Sequence, residues 1–193
     1  MLEEKIKNII DKTKGKKVSQ NLAYDGTFIK VFKEQYIYPN GKNVIKERII
    51  KNKGKNAVIV ITRTINNKYV LVVQNRVDEN VSIEWPSGYI EENEEVEKAS
   101  KREVQEETGY IGDEAVVLDS VISSIGTENS KTFIAFIDNA KKQENQNLDE
   151  DEFVNYIEVT FDELTYLIDK KYILSSSNKL AYYHLKEILE RNN

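Results

Sequence analysis

Two stretches, residues 57–63 and 68–75, are apolar almost throughout and stand on either side of Asn66-Asn67. Runs with so little polar alternation read as buried strands, covered on both faces rather than one. That requirement governs the fold, because the rest of the chain must supply the cover. With 193 residues there is ample length for one domain with a real core, or one domain carrying a small appendage.

The remaining elements can be placed around that pair. Residues 2–13 carry Leu2, Ile6, Ile9 and Ile10 at helical spacing, and a lysine-rich stretch to Lys17 reads as a solvated linker. Residues 27–38 and 44–50 are β-branched and aromatic, and Tyr38-Pro39-Asn40-Gly41 between them predicts a hairpin turn. A helix is expected over 94–108, with Asn93 as N-cap, acids in its first turn and Gly109 at its C-terminus. Its packing stripe would be Val96, Ala99, Ser100 and Val104. Strands are expected at 115–122, 131–137 and 156–159, the last preceded by an acidic, asparagine-rich stretch over 143–152. Thr160 with Glu163 forms a capping-box pattern for a helix to Lys170, and Ser176 or Ser177 opens a final helix ending near Arg191. The expected class is α+β: a helix and β-hairpin appendage over 1–52, ahead of a main domain over 53–193.

Composition narrows the chemistry. There is no cysteine, which removes disulfides, thiolate metal sites and a cysteine nucleophile, and points to a reducing compartment. A single histidine, His184, speaks against a histidine-rich metal site or a Ser-His-Asp triad. The net charge of −5 argues against a broad basic face for nucleic acid. No apolar run is long enough for a membrane span and no secretory signal is expected, so the expectation is a cytoplasmic protein. Any chemistry falls to carboxylates.

The acids are concentrated. Between Gly88 and Tyr110 stand eight glutamates against Lys98, Lys101 and Arg102, which accounts for the whole net charge of the chain. Glu103, Glu106 and Glu107 fall on one side of the predicted helix, where like charges repel by a few tenths of a kcal/mol per pair. A solvated face is the ordinary reading of an acidic helix. A divalent cation would relieve this particular spacing, and oxygen-only ligands select hard ions, Mg²⁺ or Mn²⁺, with coordination sites left for phosphate oxygens.

At this point the residues match a family pattern. Gly88, five residues, Glu94, seven residues, then Arg102-Glu103-Val104-Gln105-Glu106-Glu107-Thr108-Gly109-Tyr110 resembles the Nudix box, with only Tyr110 standing where an aliphatic is usual. The resemblance implies an α/β/α sandwich with a mixed sheet. It also implies a metal-dependent hydrolase for a nucleoside diphosphate linked to another moiety. By motif, Glu103 and Glu107 would be the principal metal ligands, with Glu106 and the backbone carbonyl of Ser87 assisting. Arg102 and Glu94 would pair to hold the loop against the helix.

Residues outside the box resemble the ADP-ribose pyrophosphatase branch. Gln74-Asn75-Arg76 is similar to its Q-x-R element and Glu84-Trp85-Pro86-Ser87-Gly88 to its E-L-P-A-G. The hairpin with Glu47 is similar to an N-terminal sheet that swaps across a homodimer. Substrate contacts would then come from Arg76, Glu84, Trp85, Gly126 and Glu128. Trp85 replaces a leucine and reads either as a stacking surface for a base or as packing beside Pro86. Ser124-Ile125-Gly126 lacks the proline of the branch's Ser-Pro-Gly, and Glu128 takes the place of its following glutamate. The general base would be Glu152, chosen over Glu150 and Asp151, with Glu106 in competition. The leading substrate is ADP-ribose, with other nucleotide sugars, dinucleoside polyphosphates and damaged nucleoside triphosphates as alternatives. A non-catalytic nucleotide sensor is the contrasting class, disfavoured because every box carboxylate is present.

Overall fold

A computed structural model describes residues 1–76, 78, 80–148 and 152–191. The chain divides into two compact units, Met1–Gly54 with Ser124–Ser130, and Lys55–Ser123 with Lys131–Asn193.

The first unit opens with α1 (Leu2–Thr13), which buries none of its residues. Three antiparallel strands follow, β1 (Lys16–Asp25), β2 (Ile29–Ile37) and β3 (Asn43–Lys51), in the order β1-β2-β3. The expected hairpin is β2–β3, with the Gly41 amide donating to the Tyr38 carbonyl and Gly41 at φ +78°, a conformation that favours glycine. β1 corrects the linker reading: Lys16 and Lys17 begin a strand, and all ten of its residues are exposed.

The second unit is built on β4 (Ala57–Thr64) and β5 (Tyr69–Asn75), the two apolar runs. They pair only beside their turn, at Thr62–Val70 and Arg63–Tyr69. Beyond that they part: β5 takes β6 (Val81–Glu84) while β4 takes β7 (Ser87–Tyr89). Next come α2 (Val96–Thr108), β8 (Tyr110–Ile111), β9 (Val116–Val121), β10 (Thr132–Lys142), β11 (Val154–Val159), α3 (Phe161–Asp169) and α4 (Ser176–Arg191). The main path of the sheet runs β11-β5-β4-β10-β8, and it is mixed because β10 lies parallel to β4.

Alternation along β4 sends Val58 and Val60 to one face with Val104 and Ala99 of α2, and Ile59 and Ile61 to the other with Leu164 of α3 and Leu185 of α4. The sheet is therefore covered on both faces, an α/β/α sandwich, as the apolar runs demanded. Leu71, Leu164 and Leu185 are wholly buried, each worth about 1.5–3 kcal/mol. Among the described residues, no helix is long and apolar enough to cross a membrane.

One helix boundary differs from expectation. α2 is preceded by Glu95 at N-cap, without a side-chain cap, and Asn93 instead takes φ +64° in the turn before it. The capping box of α3 is complete, with Thr160 accepting from the Glu163 amide and Glu163 from the Thr160 amide.

Candidate active site

α2 buries Ala99, Ser100, Val104 and Thr108 against the sheet, and with them two charged groups: Glu103 is 7% exposed and Glu107 3%. The parting of β4 and β5 brings β7 alongside. Because Ser87 pairs with Ile59 and Gly88 with Val58, this strand runs past the acidic side of the helix. The Ser87 amide donates to Glu107 Oε2 at 2.8 Å. A Cβ on Gly88 would stand 2.2 Å from the Glu103 carboxylate. Glycine at position 88 thus serves the close approach of that carboxylate rather than an unusual backbone angle.

Burial drives the electrostatics of both carboxyls. It pushes Glu107 up to about 8, against the Ser87 hydrogen bond and the charge of Arg76, with Glu103 and Glu152 repelling. It pushes Glu103 up to about 7, with Arg102 opposing and Glu106 and Glu152 adding repulsion. Glu152 therefore acts on both buried carboxylates.

Arg102 organises the outer edge. Its Nε and Nη2 bind Glu94 bidentately at 2.9 Å each, and Nη2 also reaches the Tyr89 carbonyl at 3.0 Å. Its Nη1 donates to Glu103 at 2.8 Å and to Glu106 at 3.0 Å. The pairing of Arg102 with Glu94 and the ordinary surface pairing with Glu106 both exist. Glu94 is held below its usual range, first by the Arg102 hydrogen bond. Just past the end of β5, Arg76 forms a second bidentate pair with Glu84 of β6, at 3.0 and 2.6 Å. Burial would raise Glu84, but hydrogen bonds from Arg76 and Ser82 outweigh it and hold the group below its ordinary value.

The donor set suits a hard divalent cation. Two desolvated carboxylates lack enough positive charge to ionise readily, and the missing side chain at position 88 lets the backbone of β7 close on one of them. Among the described residues no three acidic or histidine side chains are yet gathered as a finished cage, and Arg102 holds one oxygen each of Glu103 and Glu106. Glu103, Glu107, Glu106 and the Ser87 carbonyl are the groups that could hold the ion.

Not every expected residue gathers here. Trp85 corrects the stacking reading: it is fully buried, edge-on to Tyr69, with its Nε1–H donating to the Asn178 carbonyl, so no ring face is open to a base. Gly126 and Glu128 belong to the first unit, where Glu128 pairs with Lys51 at 2.8 Å. Glu150 and Asp151 lie outside the described residues. His184 meets Asp119 at 3.1 Å on the surface. Sequence reasoning missed Asn178, whose Oδ1 accepts from the Trp85 amide at 2.7 Å. Its only signal was a polar residue at the start of α4.

Comparison with known proteins adds a second line. The NUDIX domain model matches residues 53–177. The chain is 30% identical over 183 residues to the ADP-ribose pyrophosphatase of Bacillus subtilis (strain 168), covering 91% of this chain and 95% of that protein. It is 34% identical over 179 residues to the methanol dehydrogenase activator of Bacillus methanolicus, with the same shares, 91% and 95%. A crystal structure of an ADP compounds hydrolase superposes with a TM-score of 0.84 over 93% of this chain and 96% of that one. At 18% identity, that likeness speaks to the fold alone.

Proposed function

The chain belongs to the Nudix family as a pyrophosphatase, and we propose that its reaction is hydrolysis of ADP-ribose to AMP and ribose 5-phosphate. Burial of Glu103 and Glu107 without a sufficient cation of their own carries the metal-dependent part of this reading. The similarity to an ADP-ribose pyrophosphatase along 91% of the chain supports the substrate.

A divalent cation, Mg²⁺ or Mn²⁺, would when bound polarise the phosphoryl oxygens and neutralise the charge that develops on them. Glu103, Glu107, Glu106 and the Ser87 carbonyl would hold it. Arg102, locked by Glu94, fixes the approach of Glu103 and Glu106. Arg76, oriented by Glu84, offers a partly exposed guanidinium to a phosphate or ribose hydroxyl. Glu152 takes a proton from the attacking water, with Glu106 as its competitor. Water adds to one phosphorus, the bridging oxygen leaves with the other, and both products depart as phosphomonoesters.

The first unit supports a homodimer. Its strands expose Leu22, Tyr24 and Ile45, the turn between β1 and β2 exposes Phe28, and a second copy of the chain would cover them. Light scattering should give twice the 22.4 kDa protomer. The Gly126–Glu128 segment is proposed to contact substrate in that assembly, where the cytoplasm is the expected compartment.

The deciding experiment is a panel of ADP-ribose, other nucleotide sugars, dinucleoside polyphosphates and nucleoside triphosphates, run with Mg²⁺ and with chelator. AMP and ribose 5-phosphate should appear only with metal. Turnover of triphosphates alone would overturn the substrate.

A further inference from the structure

A helix leaves its last carbonyls without partners. At the end of α2 the Gln105 carbonyl accepts from the Gly109 amide, and those of Glu106, Glu107 and Thr108 are taken by one segment, residues 142–147, which also reaches the Gly109 carbonyl. The Asn147 amide donates to the Glu106 carbonyl at 2.9 Å. Gln146 Nε2 donates to the Glu107 carbonyl and Lys142 Nζ to the Thr108 carbonyl, each at 2.6 Å. The amides of Gln143 and Glu144 reach the Gly109 carbonyl at 3.1 and 3.2 Å. The approach is so close that a Cβ on Gly109 would stand 2.2 Å from the Glu144 carbonyl oxygen.

Gln146 makes one contact more. The same Nε2 donates to the Val154 carbonyl at 3.0 Å, at the first residue of β11 and two residues beyond Glu152. One NH₂ group thus uses both hydrogens to join the backbone of a buried site carboxylate to the backbone beside Glu152. We propose that Gln146 is a positioning residue of the hydrolysis, setting the span between Glu107 and Glu152 by clamping the Glu107 carbonyl to the Val154 carbonyl. This rests on the reading above, in which Glu107 holds the metal and Glu152 takes the proton.

The chemistry of the clamp separates it from mere packing. It needs two N–H donors aimed at two carbonyls. Glutamate has the shape but no donor, and adds a negative charge at the negative end of a helix. Lysine has the donors and a charge that suits that end. Packing would tolerate glutamate as well as lysine.

The test compares Gln146→Glu, Gln146→Lys and Glu152→Gln, singly and with Gln146→Glu and Glu152→Gln combined. Misplacement on the ångström scale costs up to about a hundredfold, so Gln146→Glu should lower kcat by about tenfold or more with KM nearly unchanged. Gln146→Lys should recover most of that loss. Once Glu152 is Gln, the further effect of Gln146→Glu should nearly vanish, because the two act as a unit. In metal-free protein the Asn147 amide should exchange faster in Gln146→Glu and at the wild-type rate in Gln146→Lys. A kcat for Gln146→Glu within about threefold of wild type would overturn the proposal. So would equal impairment of both Gln146 variants, or additive losses with Glu152→Gln. Wild-type turnover by Glu152→Gln alone would instead overturn the base assignment on which the proposal stands.

Discussion

Glu34 in the first unit and Glu107 in the second are each 3% exposed, yet Glu34 is held down to about 2 while Glu107 is pushed up to about 8. Burial raises both. At Glu34 it is outweighed by hydrogen bonds from Tyr36 at 2.7 Å, Arg48 at 2.7 Å and Lys17 at 3.2 Å. At Glu107 a single backbone amide and the charge of Arg76 do not suffice. The first carboxylate completes a network from its own sheet. The second, with Glu103, is left short of positive charge, and that shortage makes it a place for a cation from outside.

The widest separation between the two should appear in Glu107→Gln. Its kcat should fall by roughly 10²- to 10⁴-fold while melting temperature in chelator holds or rises slightly. The increment of melting temperature given by Mg²⁺ should shrink as well. Activity within about threefold of wild type would erase the distinction from an ordinary buried carboxylate. Gly88→Ala sharpens the geometry. The new methyl must displace the Glu103 carboxylate, the far end of a flexible side chain, so activity should drop about tenfold to a hundredfold with little change in stability. A loss of stability without loss of activity would contradict this.

Glu34→Gln should behave in the opposite manner, costing about 1–3 kcal/mol in guanidinium unfolding because one buried acceptor oxygen is replaced by a donor and the charge facing Arg48 and Lys17 is lost. Its Mg²⁺ response should match the wild type. A change in that response would break the contrast from the other side.

The smallest effect is on pH dependence, and its sign differs between the two. Glu103 and Glu107 rise from 4.5 to about 7 and about 8, so the metal-free native state binds extra protons. The stability they confer is complete below 4.5 and is lost as pH rises through about 7 and 8. Glu34 falls from 4.5 to about 2, so its contribution is present above 4.5 and lost as pH falls toward 2. In chelator, melting temperature should decline across the neutral range, and Mg²⁺, competing with those protons, should flatten the decline. Equal slopes in wild type and Glu107→Gln would contradict the assignment.

What could be read beforehand followed the reach of each signal. The α2 helix, its glutamates and the Thr160–Glu163 box are marked by spacings of three and four, so the local sequence exposed them. β1 escaped because all ten of its residues face solvent, and Gln20 interrupts the alternation of Val18, Leu22 and Tyr24. The role of Gly88 depends on a carboxylate fifteen positions away, brought near only by the β4–β7 pairing. Trp85 was legible as an aromatic beside the site. Its burial depends on Asn178, 93 positions on, and no local pattern announces that.

The parallel pairing of β10 with β4 carries a consequence for how the chain acquires its shape. Ala57 sits opposite Thr132 and Ile61 opposite Phe136, so one edge of β4 finds its partner only after β5, α2 and β9 have been made. Until then, during synthesis, an apolar strand edge bearing Val58, Ile59, Val60 and Ile61 stands open beside a helix whose glutamates are already in place. Parallel closure over that distance is slow, so assembly of the catalytic half should wait on β10. A chain cut short before Thr132 would be an aggregation-prone edge rather than a smaller working enzyme.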